Sequence, residues 1–283
     1  MAARPKTLPA AAAPVFIGAG LAVHDRVFAT LPALAALVGA LLIQIGTNLA
    51  NDYYDFVRGS DTAERVGPVR VTQAGLLPPR AVWRGMVATL AAASLVGVYL
   101  VAVGGWPIVV VGVASLVCAV AYTGGPFPLG YHGLGDVFVF VFFGLVATIG
   151  SAYVHLDRVT GLSVLVAVPV GAAATALLVV NNLRDIPTDA AVGKNTLAVR
   201  WGPARTRQLY LRLMGLTVAG TIVAFIARPA VLLALLAVPL AISPVRSVAE
   251  GSSGSALIGV LGDTGRYQLA WGLLFAAGLW AGA

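Results

Sequence analysis

Two clusters of amide and carboxylate side chains interrupt an otherwise apolar chain. The first is Asn48, Asn51, Asp52 and Asp55, with Asp61 close behind; the second is Asn181, Asn182, Asp185 and Asp189. On a helix Asn48, Asn51, Asp52 and Asp55 fall at i, i+3, i+4 and i+7, one face. Asn181, Asp185 and Asp189 are spaced i, i+4 and i+8. Pro187 is expected to kink or end that helix near Leu183, which leaves Asp189 in loop. A ligand set made only of oxygens suits Mg²⁺, which keeps several waters and is held by one or two carboxylates plus substrate phosphates. Arg58, Arg65 and Arg70 follow the first cluster, and Arg184 and Lys194 flank the second. Carboxylate, Mg²⁺ and phosphate, with cations on the outer oxygens, is an arrangement that stabilises a leaving diphosphate. The expected substrate is a diphosphate whose other end is at home in lipid.

The elements that must position these clusters are set by composition. With 59% hydrophobic residues, 10% charged residues and a mean hydropathy of +0.92, the 283 residues cannot close as a water-soluble globule. The chain reads as an all-α polytopic membrane protein, a single transmembrane domain over 1–283. Its apolar runs are long enough to cross roughly 30 Å of hydrocarbon. They predict nine spans: 8–24, 31–56, 84–104, 107–122, 134–154, 162–184, 208–227, 229–248 and 267–283. The stretch Gly251 to Gly265 reads as a flexible, partly disordered loop. The run from Leu8 follows Arg4 and Lys6 as a signal peptide would, but Pro9, Pro14 and the many later spans argue for a retained first helix. The single Cys118 sits in an apolar run, which excludes an intramolecular disulfide and a multi-cysteine zinc site.

Basic residues test the count, because they accumulate in cytoplasmic loops. With the N-terminus inside, 15 of the 18 Lys and Arg residues fall on inner segments, and only Arg26, Arg158 and Arg228 fall outside. Both Asp clusters are then cytoplasmic. The net charge of +7 is mostly topological and calls for no nucleic-acid partner.

Four stretches carry a family resemblance: Arg4-Pro5-Lys6-Thr7-Leu8-Pro9; Asn48 to Asp61 continuing to Arg70; Tyr122-Thr-Gly-Gly-Pro-Phe-Pro-Leu; and Asn181 to Asp189 continuing through Gly193 to Arg200. They resemble the UbiA superfamily of intramembrane prenyltransferases, and within it most closely the branch that prenylates 1,4-dihydroxy-2-naphthoate in menaquinone synthesis. The resemblance runs from residue 4 to about 202. It implies nine helices around a central cavity under a cytoplasmic cap, in a bacterial plasma membrane. It further implies Mg²⁺ as cofactor and, as substrates, a long-chain prenyl diphosphate and a naphthoate that loses CO₂ to give demethylmenaquinone. Carried over, Asn48, Asp52, Asp55, Asp185 and Asp189 hold metal and diphosphate. Asn51, Arg58, Arg65, Arg70, Asn181, Arg184 and Lys194 line the substrate. Arg4 or Lys6 pairs with the acceptor carboxylate, and Tyr122, with Tyr53 or Tyr54, covers the allylic cation. The pattern departs at Gly59, which occupies the step after Asp55 where some members carry an acid; Asp61 comes two residues later.

Each assignment has a plainer counterpart. Paired acids at a helix end also form ion-pair networks with Arg58 and Arg184. Tyr53, Tyr54, Trp83 and Trp106 also read as interfacial belt residues. His132 and His155 read as solvated loop histidines, Asp136 as a helix N-terminal acid or a cavity group, and the Gly/Pro element after Tyr122 as a tight turn. A cation-coupled transporter also carries intramembrane acids, but near the midplane rather than at helix ends. A CDP-alcohol phosphotransferase needs a single-helix Asp/Gly/Ala/Arg signature that is not found. Other aromatic acceptors, such as 4-hydroxybenzoate or homogentisate, would leave the same metal site in place.

Overall fold

The structure, a computed structural model, describes residues 2–61, 66–67 and 69–281, with the backbone alone of Lys6. Arg65 and the side chain of Lys6 thus lie outside what it describes. Among the described residues the chain forms helices and no strand. The helices are α1 (Leu8–His24), α2 (Thr30–Val57), α3 (Pro79–Gly104), α4 (Trp106–Ala121), α5 (Gly135–Leu156), α6 (Gly161–Ala191), α7 (Leu197–Ala224), α8 (Pro229–Ala249) and α9 (Ala256–Trp280). Five of them, α2, α3, α5, α6 and α8, are long and apolar enough to cross a membrane, while α1 and α4 are apolar but shorter.

Three boundaries differ from expectation. Pro187 does not end α6, which runs on to Ala191. A proline is tolerated inside such helices, and in the same turn Thr188 Oγ1 donates to the Asp185 carbonyl at 3.0 Å. Asp189 is therefore helical. Most of the expected loop 185–207 is helix too: α7 starts at Leu197, capped by Thr196, and kinks at Gly202, whose φ of 73° is one a glycine adopts freely. Finally, α9 starts at Ala256 rather than near 267, because Leu257, Val260 and Thr264 already pack into the core. The flexible loop shrinks to the turn between Ala249 and Ala256.

The packing is lopsided. α6 is the most buried span, and its run Gly171-Ala-Ala-Ala-Thr-Ala lets neighbours approach closely. A methyl on Gly144 of α5 would lie 2.5 Å from the Gly171 Cα. Around α6 a dry core of Ile17, Val170, Val180, Tyr210, Trp271 and Phe275 joins α1, α6, α7 and α9. Helices α3 and α4, by contrast, present exposed apolar side chains at Leu95, Val103 and Val110, as lipid contact requires. Between α1, α2, α3, α4 and α5 lies a cavity of about 600 Å³ with an almost wholly apolar wall. One wall, Phe140–Val146 of α5, is a π-helical segment, a local widening often found at functional sites.

Candidate active site

The last two turns of α2 carry the first motif, and its key side chains are buried. The Asn48 amide donates to the Ala3 carbonyl and to Thr7 Oγ1, both at 3.0 Å, and Gln44 also reaches Thr7. These bonds tie the N-terminal segment, Arg4 included, alongside the motif. After Gly59, at φ 69°, the chain returns over the helix end. Asp52 accepts from the backbone N–H groups of Val71 (3.1 Å) and Thr72 (3.0 Å) and from the Thr72 hydroxyl. Asp55 accepts from Arg70 Nη2 at 2.6 Å, and the Arg70 Nε also pairs with Asp61. Arg70, Asp55 and Asp61 are each at most 9% exposed, so this is a buried ion-pair network rather than interfacial charge.

The second motif lies on one face of α6. Arg184 binds Asp185 through both Nε and Nη2 at 2.7 Å, and its Nη2 donates to Asn181 Oδ1 at 2.8 Å. Beyond the helix end, Lys194 lies 3.7 Å from Asp189.

The two motifs are linked through residues 122–134. Thr123 donates to Asn51 at 2.9 Å, Arg58 donates to the carbonyls of Thr123 and Gly125, and the Tyr54 ring packs on Gly124. Further along, the Tyr131 hydroxyl donates to Asp55 at 2.8 Å, while its ring lies 5.6 Å from the Arg58 guanidinium and 5.3 Å from Lys194 Nζ. Its carbonyl accepts from the Asn195 N–H. Burial, and then the negative field of Asp55, push the Tyr131 phenol up, so it stays protonated and keeps donating. Sequence reading missed Tyr131 and Thr72. The signal available was a tyrosine in a Gly/Pro-rich connection joining helix ends that bear charge; the bonds themselves span 76 and 20 residues of chain.

Other candidates separate by place. Tyr122, with Gln44 and Thr47 just before Asn48, lines the motif end of the cavity, and Ile108 and Val154 line it nearer the opposite helix ends. Tyr53 stacks edge-on against Tyr54. His132 stacks on Phe127, and His155 stacks on Phe28 at the opposite end of the bundle, so each histidine has a packing role. Asp136 is buried, with Oδ2 lacking a hydrogen-bond partner among the described residues. Trp83 and Trp106 are exposed, as belt residues are.

Among the described residues, no group of three or more His, Cys, Asp or Glu is set closely enough to hold a metal without other ligands. The donor set nonetheless fits Mg²⁺ shared with phosphate, because the acids offer hard oxygens and phosphate and water complete the shell. Arg70 Nη1 and Arg184 Nη1 are buried without a hydrogen-bond partner among the described residues. Buried guanidinium N–H groups left over beside acids are what the oxygens of an anion would satisfy.

The model of the UbiA prenyltransferase family matches residues 11–256. A 1,4-dihydroxy-2-naphthoate octaprenyltransferase of Mycobacterium tuberculosis is 44% identical over 98% of this chain and 94% of its own length. The Escherichia coli protein of the same name is 39% identical over 98% of this chain and 92% of its own. Among solved structures, a UbiA homologue from Aeropyrum pernix K1 superposes with a TM-score of 0.72 at 17% identity, covering 99% of this chain and 98% of that one. A UbiA homologue from Archaeoglobus fulgidus bound to GPP and Mg²⁺ gives 0.70 at 14% identity, covering 97% and 98%; both likenesses concern the fold.

Proposed function

The chain belongs to the UbiA prenyltransferase family, and from that premise we propose that it transfers a polyprenyl group from a prenyl diphosphate to 1,4-dihydroxy-2-naphthoate, with loss of CO₂. The product is the reduced form of demethylmenaquinone. The observation that carries this reading is a junction: acids and Arg70, with a buried N–H group to spare, lie at the end of α2, and one turn before Asn48, at Gln44, an apolar cavity begins. Phosphate chemistry and a lipid tail need those two environments side by side.

In this reading Asn48, Asp52, Asp55, Asp185 and Asp189 would hold Mg²⁺ and the diphosphate, while Asp61 pairs with Arg70. When bound, Mg²⁺ neutralises charge building on the leaving diphosphate. Arg70 and Arg184 give their spare N–H groups to phosphate oxygens, and Arg58 and Lys194 add charge at the rim. By sequence alone, Arg65 is a further candidate for the diphosphate and Lys6 the alternative to Arg4 for the acceptor carboxylate. The carbon–oxygen bond of the prenyl diphosphate breaks, and Tyr122 at the cavity mouth covers the allylic cation with its ring face. The acceptor, its carboxylate paired with Arg4, attacks through the ring carbon bearing that group; loss of CO₂ then restores aromaticity. The apolar wall keeps water from the cation. The protein is placed in a bacterial plasma membrane, and the excess of basic residues at the motif-bearing end supports an orientation with both motifs cytoplasmic.

The test is Mg²⁺-dependent release of diphosphate and CO₂ by purified protein in detergent, given a long-chain prenyl diphosphate and 1,4-dihydroxy-2-naphthoate. Both products are expected, and both are expected to be lost in Asp55→Ala and Asp185→Ala. Diphosphate without CO₂ would point to another acceptor or to hydrolysis, and no turnover with any aromatic acceptor would refute the reading.

A further inference from the structure

The connection between α4 and α5 is tied to both motifs, and Tyr131 is where the ties converge. Its hydroxyl lies 2.8 Å from Asp55 Oδ1 and 2.8 Å from Ser60 Oγ. With one proton to give, it donates to the carboxylate and accepts from the serine. The other Asp55 oxygen is fixed by Arg70 at 2.6 Å, so each oxygen has one strong donor and keeps a lone pair aimed in a set direction. The Tyr131 ring seats one cation from each side, Arg58 after α2 and Lys194 after α6, both within the distance at which a ring face attracts charge. Lys194 in turn reaches Asp189.

We propose that Tyr131 is a positioning residue for the prenyl diphosphate site: its hydroxyl orients Asp55 toward the metal, and its ring holds Arg58 and Lys194 where the diphosphate docks. The proposal rests on the reading above that the paired motifs bind Mg²⁺ and diphosphate. Tyr131 touches no reacting atom in this scheme; it acts through Asp55 and the two cations. Groups that orient a metal-binding carboxylate typically change metal affinity by 10–100-fold when removed.

Tyr131→Phe removes the hydroxyl and keeps the ring; Tyr131→Leu removes both. Phe127→Leu, on the same connection but stacked on His132, is the packing control. Binding of geranyl diphosphate to detergent-purified protein is followed by calorimetry across a Mg²⁺ titration, with melting temperatures as the check on folding. Tyr131→Phe is expected to need about 10–100-fold more Mg²⁺ for half-maximal binding, with binding recovered at saturating Mg²⁺. Tyr131→Leu is expected to bind geranyl diphosphate more weakly even at saturating Mg²⁺. A Tyr131→Phe titration matching that of the unmodified protein overturns the proposal, as does a deficit that Mg²⁺ does not relieve and that Phe127→Leu reproduces. Absence of Mg²⁺-dependent binding by the unmodified protein overturns the functional reading together with it, so the two failures are distinguishable.

Discussion

Arg70 carries a larger share of the first motif than its place in a loop suggests. It joins Asp55 and Asp61, and all three are buried. Arg70→Ala should therefore destabilise the protein by about 3–5 kcal/mol, the cost of leaving buried carboxylates without their counter-charge, and thermal unfolding in detergent measures it. Arg70→Lys keeps the charge but not the planar fork, so it should recover only part of that loss. An unchanged melting temperature in Arg70→Ala would show that the pairing is dispensable. Arg4 supports a kinetic prediction instead. The bonds from Asn48 to Ala3 and Thr7 hold its segment beside α2, and the proposed reading pairs it with the acceptor carboxylate, so Arg4→Ala should raise the acceptor KM far more than the donor KM. Equal effects on both would sink that assignment. The acids and arginines were legible in the sequence because charge in an apolar chain stands out. Thr72 and Tyr131 were not, since a threonine or tyrosine in a loop is unremarkable until folding brings it to a carboxylate.

At the scale of elements, two glycines show opposite tolerance. Gly144 meets Gly171 where α5 crosses α6, and an added methyl would lie 2.5 Å from backbone. Gly144→Ala should cost about 1–3 kcal/mol by overpacking, visible as a lower melting temperature. Gly97 on α3 lines the cavity, and a Cβ there would meet nothing within 4 Å. Gly97→Phe should leave the fold intact and fill the cavity, raising the KM for a long-chain donor well above that for geranyl diphosphate. If both donors respond alike, the prenyl chain lies elsewhere. Helices as such were legible from the length of the apolar runs. The persistence of α6 through Pro187 was not, because the turn around it is buried among neighbours at Leu183, Arg184, Asp185 and Asp189, and packing there outweighs the local residue preference. Nor was the early start of α9, where buried Leu257 and Val260 outweigh the helix-weakening glycines that made the segment read as loop.

For the whole molecule, charge asymmetry predicts orientation. In a Cys118→Ser background, a cysteine at Ser253, between α8 and α9, should be labelled by an impermeant reagent only from the cytoplasmic side, and one at Arg158, between α5 and α6, only from outside. Labelling of both from one side would break the topology. The division into a solid half and a cavity-bearing half was hidden from the sequence, since both halves are equally apolar and only packing tells core from lipid contact.

The first and last helices also lie against each other: Gly20 of α1 abuts Leu279, and Gly272 of α9 abuts Ala13. A ribosome delivers α1 long before α9, so α1 enters the bilayer without the surface it will finally rest on. Every motif residue has been synthesised by Lys194, yet the assembly that steadies them cannot close until some eighty residues later have been inserted. A nascent chain halted between those points would hold all the parts of the site and remain an open, protease-sensitive intermediate, which makes insertion of α9 a late and decisive step of maturation.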